Sequence, residues 1–148
     1  MSAVLMTITI NDGASAPLRA FALRLADTLP LMKLIGEVAM ASVQENFEVG
    51  GRPSWQPLAP ATVKAKGHSK PLVASGILKN VIMKASANEV LVGVQPAAKE
   101  YAAIQHFGGK AGRNHSVTIP ARPYMLLQDE DLQEIDELVR NWIVDREQ

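Results

Sequence analysis

The sequence predicts an α+β fold, a mostly antiparallel sheet packed by a long N-terminal helix and an acidic C-terminal helix. Three observations carry that expectation. Apolar residues recur at helical spacing over 17–49 and again over 129–146. Two runs rich in Val, Ile and Ala, 81–87 and 89–95, meet at Ala87-Asn88 as the arms of a hairpin do. Prolines and glycines punctuate the stretches between them. The 148 residues, 47% hydrophobic and 20% charged, have the size and composition of one globular domain, 1–148, and exclude collagen-like, disordered and coiled-coil chains.

Residues 3–10 place Val4, Met6, Ile8 and Ile10 on one parity, as in a half-buried strand, and Asn11-Asp12-Gly13 closes it as a turn. Without a basic leading region this start does not read as a signal peptide. The next pattern is helical: Leu18, Phe21 and Leu25, then Leu31, Leu34, Ile35, Val38, Val43 and Phe47. Pro30 lacks an N–H and clashes with the preceding turn, so it either kinks this helix or starts a second one at about Thr28. Gly50-Gly51 ends it. Residues 51–60 contain Pro53, Pro57 and Pro60 and read as an extended, stiff arm. Pro60 opens a short helix to Lys66, stopped by Gly67. A further short helical turn is expected within Leu72 to Asn80.

After the hairpin, Lys99 to Phe107 reads as a helix stopped by Gly108-Gly109. Residues 108–116 read as a mobile basic loop, and Ser116 to Ile119 as a last strand in the same sheet as 3–10, 81–87 and 89–95. The C-terminal helix carries Leu132, Ile135, Leu138, Val139, Trp142 and Ile143 as its stripe, with Asp129, Glu130 and Asp131 favouring its N-terminus through the helix dipole. Phe21, Leu25, Leu34, Ile35, Val38, Leu78, Val92, Ile104, Leu138 and Trp142 are the expected core.

Little in the chain suits catalysis. Cysteine is absent, which removes disulfides, thiolate metal sites and Cys nucleophiles. His68, His106 and His115 have no helical His spacing between them and no HExxH setting. His106, in an apolar-flanked run, reads as a structural histidine. Gly108 to Arg113 looks like a phosphate loop but lacks the GxxxxGK[ST] spacing. The sequence therefore predicts no metal, no cofactor and no enzyme, and no apolar run long enough to cross a membrane.

Charge sums to zero but is segregated: residues 1–51 carry a net −2, 52–122 a net +8 and 123–148 a net −6. Solvated surface is one reading, and a dipolar subunit whose basic face meets a neighbour's acidic helix is the other. The basic middle also leaves open a nucleic-acid-binding accessory protein acting through Lys64, Lys66, Lys70, Lys110 and Arg113. Trp55 reads either as a plug beneath the arm or as an anchor in a neighbour's groove. Arg122, flanked by Ala121 and Pro123 and close to Pro120, is expected to be held by carbonyls or a carboxylate, because its backbone is restricted on both sides.

Three segments taken together resemble a known family. They are Gly51-Arg52-Pro53-Ser54-Trp55-Gln56-Pro57-Leu58 with Thr62 and Lys66, then Leu72-Val73-Ala74-Ser75-Gly76-Ile77-Leu78, then the run Tyr101 to Gly109 followed by Ile119-Pro120-Ala121-Arg122-Pro123-Tyr124. Their order and spacing over about residues 15–146 resemble the phage virion morphogenesis family, the tail-completion and head-to-tail joining proteins of Mu-like tailed phages. Ser75 stands where the family pattern more often has Thr, and Gln105-His106 reverses the commoner order. The resemblance implies a non-enzymatic subunit of the virion neck or tail end, made in the host cytoplasm. It implies a hexameric ring of this chain that meets a tail tube protein and a head-completion or connector protein, with DNA passing through the bore without specific binding and no membrane involved. The candidate contact residues are then Arg52, Pro53, Trp55, Pro57 and Leu58 in the arm, Lys64 and Lys66, Lys110 and Arg113 in the loop, Arg122, and Asp129, Asp131, Glu134 and Asp136 on the acidic helix.

Overall fold

Pro30 starts a helix instead of bending one. In the computed structural model, which describes residues 13–73 and 76–144, α1 (Ser15–Ala26) ends before α2 (Leu29–Val49) begins, and Pro30 occupies the first turn of α2, where its missing N–H has no intrahelical acceptor to lose. The Asp27 carboxylate accepts from the Leu29 N–H at 3.3 Å across the break. At the other end Gly50 adopts φ 79°, and the Gly50 and Gly51 N–H groups both return to the Asn46 carbonyl. The short helix α3 (Pro60–Lys66) follows the proline-rich segment and ends at left-handed Gly67, as the sequence predicts.

The hairpin forms with shorter strands than expected: β1 (Val81–Ala85) runs antiparallel to β2 (Val90–Val94), with Val81 opposite Val94 and Ala85 opposite Val90. Ser86 shapes the turn, its Oγ accepting from the Glu89 N–H at 3.2 Å. Thr28 Oγ1 donates to the Ala87 carbonyl at 2.5 Å and so ties the hairpin tip to the α1–α2 joint. Val81, Met83 and Ala85 alternate with the more exposed Ile82 and Lys84. A Cβ on Gly36 of α2 would overlap the Met83 sulfur and press on Val90, so a glycine at this helical position is what lets the hairpin approach α2 closely.

A 3-10 turn (Pro96–Ala98) leads into α4 (Lys99–Phe107). Beyond it the expected single sheet is corrected. Val117–Ile119 does not join the β1–β2 hairpin; as β4 it pairs with β3 (Gly109–Ala111) in a separate two-stranded sheet, Gly109 opposite Ile119 and Ala111 opposite Val117. The expected basic loop 108–116 is therefore the tip and one arm of a hairpin. Gly-Lys-Ala carries no β-branched residue to announce a strand, and the tip turns through positive φ at Gly112, Asn114 and His115. The described residues between 71 and 80 form turns and no helix. The strand expected at 3–10 lies outside the described residues. The final helix α5 (Asp129–Val144) packs on α2 and, near its end, on α1, where Trp142 Nε1 donates to the Arg24 carbonyl at 3.3 Å.

The core sits where α2, β1, the proline-rich segment, the start of α4 and the 122–125 stretch converge. Val43, Phe47, Trp55, Leu78, Val81, Ala98, Ala102 and Tyr124 are buried in one cluster. Of the residues expected in the core, Leu78 alone is fully buried. Phe21, Ile35, Val38, Val92, Ile104, Leu138 and Trp142 are half-buried, while Leu34 and Leu25 are exposed. Helical spacing identified an apolar face correctly, but a face at the edge of a thin α/β layer is only half covered by its own chain.

Candidate assembly surface

The residues that stand out by type turn inward and meet at one joint. Ser42 and Asn46 project from α2 one turn apart, at i and i+4. Asn46 Nδ2 donates to the Tyr124 carbonyl at 2.9 Å and to the Leu126 carbonyl at 3.0 Å, so a fully buried amide holds the stretch that leads into α5. Arg52, just past the glycine stop of α2, folds back over this pair. Its Nε donates to Asn46 Oδ1 at 2.8 Å, its Nη2 to the Ser42 carbonyl at 3.0 Å and to Ser42 Oγ at 2.8 Å. Its Nη1 lies 2.9 Å from Glu45 and 3.2 Å from Glu130, and Nη2 lies 3.5 Å from Asp131. The planar fork thus serves three carboxylates as well as Asn46 and Ser42, more acceptors than the three N–H groups of an ammonium can meet.

Asp131 completes the joint from α5. It accepts from Ser42 Oγ and, at 2.7 Å, from the Gln128 N–H, capping the helix that it belongs to. Gln128 Nε2 returns to the Arg52 carbonyl at 2.7 Å. Apart from the local Gln128–Asp131 cap, the bonds of this network tie together α2, the segment after it and the stretch that leads into and begins α5.

Trp55 closes the other side. The indole is buried, donates to the Pro123 carbonyl at 3.0 Å and meets the Phe47 ring edge-on at 5.5 Å. A Cβ on Gly51 would strike the indole, so the second glycine of the helix stop is needed for close approach as well as for its φ of 101°. Tyr124, also buried, donates to the Ala102 carbonyl at 3.1 Å and lies 5.3 Å from Phe47 and 5.1 Å from the His106 ring. Burial, with Tyr101 nearby, raises the Tyr124 phenol above its ordinary value. Burial lowers the His106 imidazole, whose Nδ1 accepts from the Met125 N–H at 3.5 Å. His106 is thus a packed histidine whose burial favours the uncharged ring.

Of the two readings of Trp55, the structure supports the plug. Arg52 and Asp131 likewise have their partners inside the chain, as does Arg122, which is buried and donates from Nε to the Gln56 carbonyl at 3.1 Å and from Nη2 to the Pro57 carbonyl at 3.4 Å. The guanidinium is held by carbonyls as its flanking prolines predict, and burial lowers it from the ordinary arginine value. The proline-rich segment is therefore fastened to the body through Trp55 and two of its own carbonyls instead of standing free as an arm. Pro57 and Leu58 share a groove with Arg122 and β4. Pro53, Lys64, Lys66, Lys110, Arg113, Asp129, Glu134 and Asp136 are exposed, and Asp136 pairs with Arg140 of its own helix at 2.6 Å, raising that guanidinium through the hydrogen bond.

What sequence reasoning missed is the apolar surface. Leu18, Leu23 and Leu25 on α1 are 63%, 68% and 50% exposed, and Phe107 at the end of α4 is 76% exposed. None of the α1 residues is buried. The signal was present in the helical stripe of 17–25, but spacing does not say whether a stripe faces its own chain or another. Among the described residues no three of His, Cys, Asp and Glu cluster as metal ligands, and no helix is long and apolar enough to cross a membrane.

A model of the phage virion morphogenesis family matches residues 12–144. The chain is 34% identical over 140 residues to the Mu-like prophage FluMu G protein 2 of Haemophilus influenzae, covering 93% of this chain and 96% of that protein. No solved structure matches.

Proposed function

Because the chain belongs to the phage virion morphogenesis family, whose members serve virion assembly and are not an enzyme family, we propose that it is a structural subunit of the neck or tail end. Copies close into a hexameric ring that completes the tail and joins it to the head around the DNA channel. The observation that carries this reading is the exposed apolar surface on α1 and at the end of α4. An isolated monomer gains nothing from such residues, whereas a subunit covers them when it meets its neighbours or partners.

The joint supports the same reading from inside. A subunit that works by shape needs its surfaces fixed before it docks, and Arg52, Asn46 and Asp131 fix the register of α2 against α5. The exposed basic residues Lys64, Lys66, Lys110 and Arg113 and the exposed acids Asp129, Glu134 and Asp136 supply complementary charge that speeds docking and sets its register. A tail tube protein and a head-completion or connector protein then occupy the two faces of the ring, and the zero net charge suits a bore through which DNA slides.

Negative-stain imaging of the purified chain, with its mass measured in solution, tests the proposal. Closed rings support it. A stable monomer at all concentrations that binds duplex DNA with a steep salt dependence would replace it with the nucleic-acid-binding reading.

A further inference from the structure

Two apolar features that no described residue covers differ in shape as a key differs from its lock. The first protrudes: Leu18, Ala22 and Leu25 fall at i, i+4 and i+7 and so share one line along α1, a helix with no buried residue although it is held to α5 through Arg24. The second is concave. Ile35 and Ala39 of α2, Val90 and Val92 of β2, Ile135 of α5 and Leu126 just before it line a groove of about 240 Å³ with no charged side chain among its walls. No residue of α1 lines it. An apolar cavity of about 150 Å³ already accepts a benzene-sized guest, so this one has room for more than one aliphatic side chain.

We infer that α1 of one copy seats its Leu18–Leu25 line in the α2–β2–α5 groove of the next copy. The inference rests on the ring reading above and names the contact that closes it. Charge favours this occupant. α1 carries exposed Arg19 and no acid, whereas the exposed α5 residues on either side of Ile135 include Glu134 and Glu137. A contact between two different patches is heterologous, so each copy offers the exposed Leu18–Leu25 line on one side and the groove on the other, and repetition closes a ring or extends a filament. A two-fold dimer would instead satisfy both patches at once and stop. α1 keeps its own hold on α5 throughout, since the Trp142 bond to the Arg24 carbonyl lies off the Leu18–Leu25 line.

Mixing two interface-dead full-length chains tests it. Leu18→Asp with Leu25→Asp removes the helix but leaves the groove, and both side chains are already solvent-exposed. Ala39→Phe fills the groove but leaves the helix; Leu126→Arg, at an exposed lip position, is the second groove variant should the filler unfold the chain. Each chain alone is expected at the mass of one copy by light scattering, and the equimolar mixture at twice that mass and no larger. Wild-type assembly of either single-sided variant, or two monomeric variants whose mixture stays monomeric, overturns the contact. If the wild-type chain forms rings while the helix variant does too, only this inference falls. A wild-type chain that never assembles overturns both this contact and the ring.

Discussion

The joint around Arg52 and the outer line of α1 are built from opposite materials for opposite purposes. At the joint, Ser42, Asn46, Arg52, Gln128 and Asp131 satisfy one another across three segments, and Trp55 and Tyr124 seal them. Along α1, Leu18, Leu23 and Leu25 are exposed among the described residues. The difference shows that the chemically distinctive side chains of this protein secure its shape, while plain aliphatic ones are left for contact. A charge network of this kind is specific because any shift leaves a buried polar group unpaired; an apolar line is general and can be covered by a neighbour without such a penalty.

The comparison breaks first if Trp55 is dispensable. Trp55→Ala should cost about 3–5 kcal/mol of unfolding free energy, the range for deleting a buried aromatic, whereas Leu18→Ala should stay within about 0.5 kcal/mol. Urea denaturation of both variants reads the contrast directly, and equal midpoints would erase it.

Arg52→Ala comes next. It strips three carboxylates and Asn46 Oδ1 of their shared donor, and Asp131 is left largely buried. A loss of about 2–4 kcal/mol follows from breaking charge-assisted bonds at a partly buried site. Arg52→Lys keeps the charge without the fork and should recover only part of it. Full recovery by Lys in the same urea titration would reduce the joint to simple charge neutralisation.

His106 sharpens the picture through pH. Burial holds the folded imidazole below its ordinary value of 6.5. As pH falls through 6.5 the unfolded chain binds a proton that the folded chain refuses, so stability declines until the lower folded value is reached and then levels off. His106→Gln should flatten that decline in melting temperatures taken between pH 7 and 5. A variant that keeps the wild-type slope would move the effect to another group.

The smallest effect concerns the charges on the rim. Reversing Glu134 and Asp136 to Lys should slow assembly and weaken its dependence on salt while leaving the fold intact, because exposed ion pairs contribute only about 0–1 kcal/mol each. Assembly kinetics that ignore both the reversals and ionic strength would mark these acids as ordinary solvated surface.

Much of the fold was legible in the sequence because it depends on local rules. Pro30 at a helix start, Gly50 at a helix end and the turn at Ala87-Asn88 are each decided by backbone sterics within a few residues. The β3–β4 pairing was not legible, since Gly109-Lys110-Ala111 has no strand signature and gains its order from residues six to ten positions away. The inward turn of Arg52 and Asp131 was illegible for a related reason. Nothing in either neighbourhood announces that positions 79 apart in sequence share a hydrogen-bonded site. Arg122 was readable, because prolines on either side restrict where its side chain can go.

Hydrogen exchange, followed by mass spectrometry on dilute and on assembled protein, tests the division between shape and contact most directly. Amides of 50–56 and 128–131 should be protected equally in both states, and those of α1, Ser15–Ala26, should gain protection only on assembly. Assembly that leaves α1 exchange unchanged, or that newly protects the joint, would contradict the account.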